Sequence, residues 1–526
     1  MPPTSTPRPS RATVQNELGR RQSLLDGPEQ FRTLCGHGPE VVLLGLGPRP
    51  EALQHLLLGA SAHTAAVRYV ECPNMAVELG PDWRARIPAG WTATDPQDLP
   101  ALAELARSGA IFHLYTPGPR LFPSFWQPIL ARIQLALLAQ APTPRPKLAW
   151  VPGDQGDLLR LELSEALAEC GWTVRETATD GGPLDLSVQR ELLAGGECPQ
   201  LFLSVNFRGL DPLGEAAALL AASGAKIAVW CVDNPLHLLS GLKSRFWQEL
   251  PLFVTDDWFV GPLRTLGAAQ VHHLPLATRA SDLDRQPASP SHNGTLLFVG
   301  RSAFPGKEGF FAGCALPEQA FSEARTLLAR GERPDFGWWL ERLGIDESEQ
   351  GQLWPGAQVR QAGYAAEETG KAWRTQCLTA AQQNLGNALH IYGDEGWRDL
   401  LPAGASIQPP VDYYTQFPDL VAGATCCLNC TSPLLPHGLT QRHFDTWAWG
   451  GTLITDATPG LNIFPPELTQ PITYRTSEEI TPLFRTLAMD PALRGKLGAA
   501  WRELLYREHT YAHRLRILLE LIDAAG

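Results

Sequence analysis

The chain has 526 residues, 44% of them apolar and 19% charged, with a net charge of −12. One hydrophobic core normally stops growing near about 250–300 residues, so a single-domain protein is excluded and two or three domains are expected. The acidic balance excludes broad nucleic-acid binding, which needs a basic surface, but leaves room for a local basic pocket.

The first 30 residues, opening MPPTSTPRPSRATVQNELGRRQ, are rich in Pro, Ser and Arg and contain no apolar core region. They predict a disordered tail and not a signal peptide. A small Rossmann-like α/β domain is expected over 31–138. EVVLLGLGPRP (40–50) reads as a strand and glycine turn followed by a helix, AAVRYVEC (65–72) as a second strand and AIFHLYTPGP (110–119) as a third. GLGPRP supplies only the first two glycines of a G-x-G-x-x-G fingerprint, with Pro50 at the third. Glu71 nevertheless lies where a ribose-binding acid would. Two readings stay open here: a degenerate module for docking or acceptor recognition, and a dinucleotide-binding or methyltransferase module taking S-adenosylmethionine.

AQAPTPRPK (139–147) reads as a linker, and a second α/β unit follows over 148–278. Its strands are expected in LAWVPG, QLFLSVNFRG, KIAVWCVDNP, PLFVTDD and AQVHHLPLAT. CVDNP (231–235) places Asp233 and Asn234 at a strand's carboxyl end, either as an acceptor site with Asp233 as base or as a turn cap. Asp256 and Asp257 are weaker candidates of the same kind. His237 reads either as catalytic or, standing near a helix start, as structural; His272 and His273 read as structural.

A polar linker over 279–294 leads to a third unit, 292–505, opening on TLLFVGRS (295–302). Helical sequence fills about 315–385. Short strands follow in ALHIYGDEGW, ASIQPPV, ATCCLNCT and GGTLITD, and two amphipathic helices close the chain. No run of about 18 apolar residues occurs, so no membrane span is expected. The ten cysteines are scattered, and the Cys427/Cys430 pair lacks the second ligand pair that zinc requires, so no metal site is expected. Scattered thiols suit a reducing cytoplasm.

The densest polar cluster is HGLTQRHFDTWAWGG (437–451), just before an apolar strand. Arg442 precedes Asp445 by one helical turn and shares its face. The two read either as ligands of a phosphorylated sugar nucleotide or as a surface ion pair. Backbone N–H groups at a helix start around Gly438, Thr440 and Arg442 would add an anion-binding end. Trp447 and Trp449 read as core.

With LNCT (428–431), TQRHFDTWAWGGTLITD (440–456) and HTYAHR (509–514), the stretch from about 290 to 515 resembles the C-terminal domain of CgeB-like, spore-maturation-type glycosyltransferases. These are relatives of the glycosyltransferase group 1 enzymes. VWCVDNP and FVTDDWFVGPLRTLGAAQVHHLPLAT resemble the domain that precedes it. The resemblance implies a GT-B architecture of two facing Rossmann-like domains. The acceptor would lie on 148–278 and the donor on 292–505, with the last helix, 506–526, packing back on 148–278.

It also implies roles. Asp445 would accept hydrogen bonds from ribose hydroxyls. Gly300, Arg301 and Lys307 would hold the donor diphosphate, and Gly393 would let backbone approach the nucleobase. Asn429 and Thr431 would meet the sugar or diphosphate, or simply close a turn. The group 1 E-x7-E pattern is changed here to His437 and Asp445, which leaves the stereochemical outcome open. His437 stands as a catalytic candidate. On this reading an exposed Asp445 matters to donor affinity and little to stability.

The expected function is a cytoplasmic, metal-independent glycosyltransferase of cell-surface glycan biosynthesis. It needs no cofactor, takes a nucleotide-sugar, and glycosylates a glycan, lipid or protein but not nucleic acid. A noncatalytic nucleotide-sugar or glycan-binding protein, and a two-module enzyme with an N-terminal methyltransferase-like domain, are the alternatives.

Overall fold

The computed structural model describes residues 12–56, 66–154, 156–177, 186–285, 292–345 and 356–525. Among them the chain builds three α/β sheets. The first is mixed: Val41–Leu44 pairs in parallel with Val67–Val70 and Ile111–Tyr115, and Phe31–Cys35 runs antiparallel along the edge. Val41–Leu44 is buried at every position, as a central parallel strand covered on both faces must be.

The expected disordered tail does not hold for residues 12–30. Thr13–Gln15 and Arg21–Ser23 pair as a hairpin, and Val14 and Leu24 join the core of Val42, Phe112 and Trp126. Each short strand brings too few apolar side chains to stand out from its Arg- and Gln-rich surroundings. Residues 1–11 lie outside the described residues.

The second sheet has six strands: Pro144–Pro152, Thr173–Thr177, Cys198–Val205, Lys226–Cys231, Pro251–Val254 and Gln270–His273. Counted along the chain, their spatial order is 2-1-3-4-5-6. The third sheet is formed by His292–Val299, Leu389–Tyr392, Ile407–Gln408, Ala424–Asn429, Leu453–Asp456 and Thr473–Tyr474. All its neighbours are parallel and its order is 3-2-1-4-5-6. Both orders belong to doubly wound nucleotide-binding sheets, which reverse direction at a switch point. In the third sheet that point falls between His292–Val299 and Ala424–Asn429.

The chain forms two compact units. One takes Met1–Asp154, Arg175–Ile227 and Leu242–Leu250; the other takes Gln155–Val174, Ala228–Gly241 and Pro251–Gly526. The segment 148–278 is therefore shared between them and is not a body of its own. Within the second unit, the last helix, Tyr511–Ala525, packs on Arg160–Glu169. Its Leu515, Leu518 and Ile522 are buried, the Tyr511 N–H donates to Thr278 O (3.0 Å), and Arg514 Nε donates to Pro275 O (2.8 Å). A face of Leu and Ile at helical spacing supplies the apolar side of that contact.

The 29-residue helix Ala357–Leu385 belongs to the same unit. Two of its glycines, seven residues apart, permit close approach. A Cβ on Gly363 would lie 2.0 Å from His237 Nε2, and one on Gly370 2.8 Å from Pro433 Cδ. Arg360, Glu367 and Arg374 follow the same seven-residue spacing and so share a neighbouring stripe of the helix.

Candidate functional site

At the switch point, within the second unit, lies a cavity of about 710 Å³. Strand ends supply one part of its lining. Gly300 and Arg301 follow His292–Val299, and Cys430 follows Ala424–Asn429. A Cβ on Gly393 would lie 2.4 Å from Gly300 O, so glycine there keeps the loops after two neighbouring strands in contact. Asp233 and Asn234, after Lys226–Cys231, line the cavity as well. The helical stripe of Arg360, Glu367 and Arg374 provides another side, and Phe298, Phe304, Phe310, Leu434 and Leu435 provide an apolar one.

Four guanidinium groups border this space, and they are not equivalent. Arg360 donates to Ser240 Oγ at 3.2 Å and lies 4.9 Å over the Phe310 ring. Arg374 pairs with Glu367 (3.2 Å), while its buried Nε has no partner. Arg301 is exposed. Arg442 stands apart: it is part-buried and donates from Nη1 only to Asn429 Oδ1 (3.3 Å). No described carboxylate comes within ion-pair distance of it, and burial lowers its pKa. A desolvated cation without a counter-charge is costly. This one is placed to receive an anion.

The neighbouring polar groups are already engaged. His443, 1% exposed, accepts the Thr440 N–H at Nδ1 (3.0 Å), which leaves its Nε2–H to donate to Thr455 Oγ1 (2.9 Å). Burial pushes its pKa down to about 3, so the ring is neutral. Thr440 lines the cavity, but its N–H is occupied; Gly438 does not line it, and the helix begins only at Arg442. The expected anion-binding helix start is therefore not formed by Gly438 to Thr440. Asn429 and Thr431 are buried behind the cavity. Asn429 Nδ2 donates to Thr455 Oγ1, and the Thr431 N–H and hydroxyl both donate to Asp456 Oδ1 at 2.8 and 2.7 Å. Asn234 acts as a helix cap, accepting from Leu236 N and His237 N and donating to Leu434 O.

Three expected ligands sit elsewhere. Lys307 Nζ is 2.5 Å from Glu368 Oε1 and does not line the cavity. The strand-Gly-Arg-Lys spacing is present, but a carboxylate on the long helix claims the lysine. Lys307→Ala is accordingly expected to change affinity for an anionic ligand less than about threefold, because a largely satisfied pair away from the ligand contributes little to binding; calorimetry measures it. Asp445 is 3% exposed and not in the cavity wall, so the exposed cleft carboxylate expected there is corrected to a buried one. Its Oδ1 accepts from Thr278 Oγ1 and its Oδ2 from Tyr413 OH, each at 2.7 Å. Burial raises its pKa well above the ordinary carboxylate range. It makes no surface ion pair with Arg442.

His437 also lies off the cavity wall. Its Nδ1 is 2.8 Å from Asp257 Oδ1, and its backbone N–H donates to Asp256 Oδ2 (2.9 Å). Burial pushes the Asp256 carboxyl up to about 6. Atoms of Asp256, Asp257 and His437 lie within 4.8 Å of one another, close enough to hold a cation. Trp447 and Trp449 are core, with Trp447 stacked on Trp501 at 5.1 Å.

The sequence reading passed over Arg360, Glu367 and Arg374. Their signal was a polar seven-residue repeat inside a helix, which marks one face as surely as an apolar repeat does.

Residues 374–520 match the family model described as glycosyl transferase-like. No curated protein sequence matches the chain. Solved structures with a similar fold include the T4 phage BGT in complex with its UDP-glucose substrate, at 11% identity and TM-score 0.39, covering 72% of this chain and 97% of that one. Another is a UDP-forming α,α-trehalose-phosphate synthase from Burkholderia xenovorans, at 10% identity and TM-score 0.40, covering 73% and 100%. A third is a Thermobaculum terrenum O-GlcNAc transferase mutant, at 11% identity and TM-score 0.36, covering 81% and 78%. Likeness this distant says nothing of what the present chain binds. The matched segment marks the chain as a glycosyltransferase, and its two six-stranded sheets have Rossmann-like strand orders. No described helix is long and apolar enough to cross a membrane.

Proposed function

We propose that the protein transfers a sugar from a nucleotide-sugar to a hydroxyl acceptor in a glycan, lipid or protein, and that the 710 Å³ cavity holds the donor's diphosphate. The observation that carries this reading is the unpaired guanidinium of Arg442 at the switch point of the third sheet. A diphosphate completes that part-buried cation. Its forked donors match two phosphate oxygens, with Arg301 and Arg374 positioned on the same cavity. As the glycosidic bond to the leaving nucleoside diphosphate breaks, negative charge grows on the β-phosphate, and fixed cations in a water-poor site stabilise it. Asp233, in the same wall, is the candidate base for the acceptor hydroxyl. The guanidinium set serves in place of a divalent ion, so activity is expected to survive chelators. Resemblance to CgeB-like enzymes of cell-surface glycan biosynthesis supports a cytoplasmic setting.

A panel of nucleotide-sugars tests this by thermal stabilisation: a ligand at a hundred times its Kd adds about 2.7 kcal/mol. Stabilisation by a nucleotide-sugar, followed by release of its nucleoside diphosphate in the presence of acceptor extracts, is the expected result. No stabilisation by any member would overturn the reading. One observation favours a noncatalytic binding protein instead: His437 is bonded to Asp257 and lies off the cavity wall. Binding of donor with no turnover against any acceptor class would establish that alternative.

A further inference from the structure

The N-terminal sheet carries a second cavity, of about 410 Å³, which the sugar-transfer reading does not use. Its wall includes Tyr69, Glu71, Trp83, Ile87 and Trp91. Glu71 stands immediately after Val67–Val70, beside the glycine turn that follows Val41–Leu44. Gly45 and Gly47 both adopt positive φ, 82° and 64°, which folds that turn back toward the carboxylate. Glu71 Oε2 accepts from Leu46 N and Oε1 from Cys72 N, each at 2.8 Å. A carboxylate oxygen has two lone pairs, so each retains one further acceptor position.

From this geometry we infer that the N-terminal cavity binds a ribonucleoside, free or as part of a larger molecule, with the ribose 2′,3′-diol on Glu71 and the base against the half-buried Trp91. Two acceptor positions on one carboxylate match two vicinal hydroxyls. Aromatic walls suit any flat base, because stacking requires only a π-face. Burial pushes the Glu71 carboxyl up to about 7, a desolvation cost that two added hydroxyl donors would reduce. A dinucleotide fits less well. Pro50 replaces the third glycine, and Trp83 Nε1 donates to Gly47 O (2.8 Å), so the turn's own carbonyl is tied to the cavity wall.

Calorimetry on the full chain with adenosine, uridine and 2′-deoxyadenosine tests this, with hydrogen exchange locating the ligand. Adenosine or uridine should bind and protect residues 67–91, and binding should persist in Arg442→Ala, which separates this cavity from the donor site. Loss of the 2′-hydroxyl should weaken adenosine about fivefold, the worth of one such hydrogen bond. Glu71→Gln should shrink that difference between ribo and deoxy forms, because its amide keeps one acceptor oxygen where the carboxylate had two. Trp91→Ala, at a half-buried position, should weaken both forms alike and serves even if Glu71→Gln fails to fold. No binding at millimolar nucleoside, equal ribo and deoxy affinity, an unaffected Trp91→Ala, or protection confined to 298–305 and 430–442 would each overturn the inference.

Discussion

Arg442→Ala is expected to weaken nucleotide-sugar binding about tenfold to a hundredfold, the loss of a charge-assisted contact worth roughly 1.5–3 kcal/mol. Fold stability should hold or rise. The guanidinium is largely desolvated, and among the described residues its hydrogen bond is to Asn429 Oδ1, which also accepts from Thr440 Oγ1 at 3.3 Å. Removing the arginine therefore strands no buried acceptor and deletes an uncompensated charge. Arg442→Lys should recover part of the affinity, since it restores charge without the forked geometry. Wild-type affinity should fall with added salt more steeply than that of the Ala variant, because the partner is phosphate. Calorimetry across a salt series, paired with melting curves, reads all of these. An unchanged Kd with a lowered Tm would make Arg442 a structural residue and remove the foundation of the donor assignment.

Much of the fold was open to sequence reading because parallel strands announce themselves. TLLFVGRS and GGTLITD are continuous apolar runs ending in Gly or Asp, and both became strands of the third sheet. Arg301 and Gly300 were legible for the same reason: they stand directly after a strand, where the chain's position fixes the residue's place at the sheet's carboxyl edge. The return of the last helix onto Arg160–Glu169 was legible too, but two side-chain partners supplied from far along the chain were not. Lys307 has the expected spacing from Arg301, yet Glu368, 61 residues later, takes it. Asp445 has the expected spacing from Arg442, yet Thr278, 167 residues earlier, and Tyr413 fill its acceptor positions. Local spacing fixes which face a side chain leaves from, and the partner on that face comes from elsewhere in the chain. The Arg360, Glu367 and Arg374 stripe is the opposite case, readable in principle from its period alone.

Asp445 is where the structure changes the expected experiment most. The sequence implied an exposed ribose ligand whose loss spares stability. The structure instead predicts that Asp445→Ala costs roughly 2–4 kcal/mol, because two hydroxyl donors, on Thr278 and Tyr413, lose their acceptor at about 1–3 kcal/mol each, less the relief of removing a buried carboxyl. Asp445→Asn should cost less, since its amide can accept from one hydroxyl and donate to the other. The pH dependence has a definite sign. Burial raises the Asp445 pKa in the folded state, so the native protein holds a proton that the unfolded chain releases near pH 4. The stability that proton supplies is full below about pH 4 and is lost as pH rises toward the folded pKa. Asn has no such equilibrium. Denaturant unfolding should therefore show Asp445→Asn gaining on wild type as pH rises above about pH 4, by up to about 1.4 kcal/mol per pH unit until the raised folded-state pKa is passed. Glu162 and Asp256 are also raised by burial, but both proteins share them, so the difference isolates position 445. A parallel pair of pH curves, together with lost nucleotide-sugar affinity in either variant, would instead return Asp445 to the ribose-binding role that its spacing from Arg442 suggested.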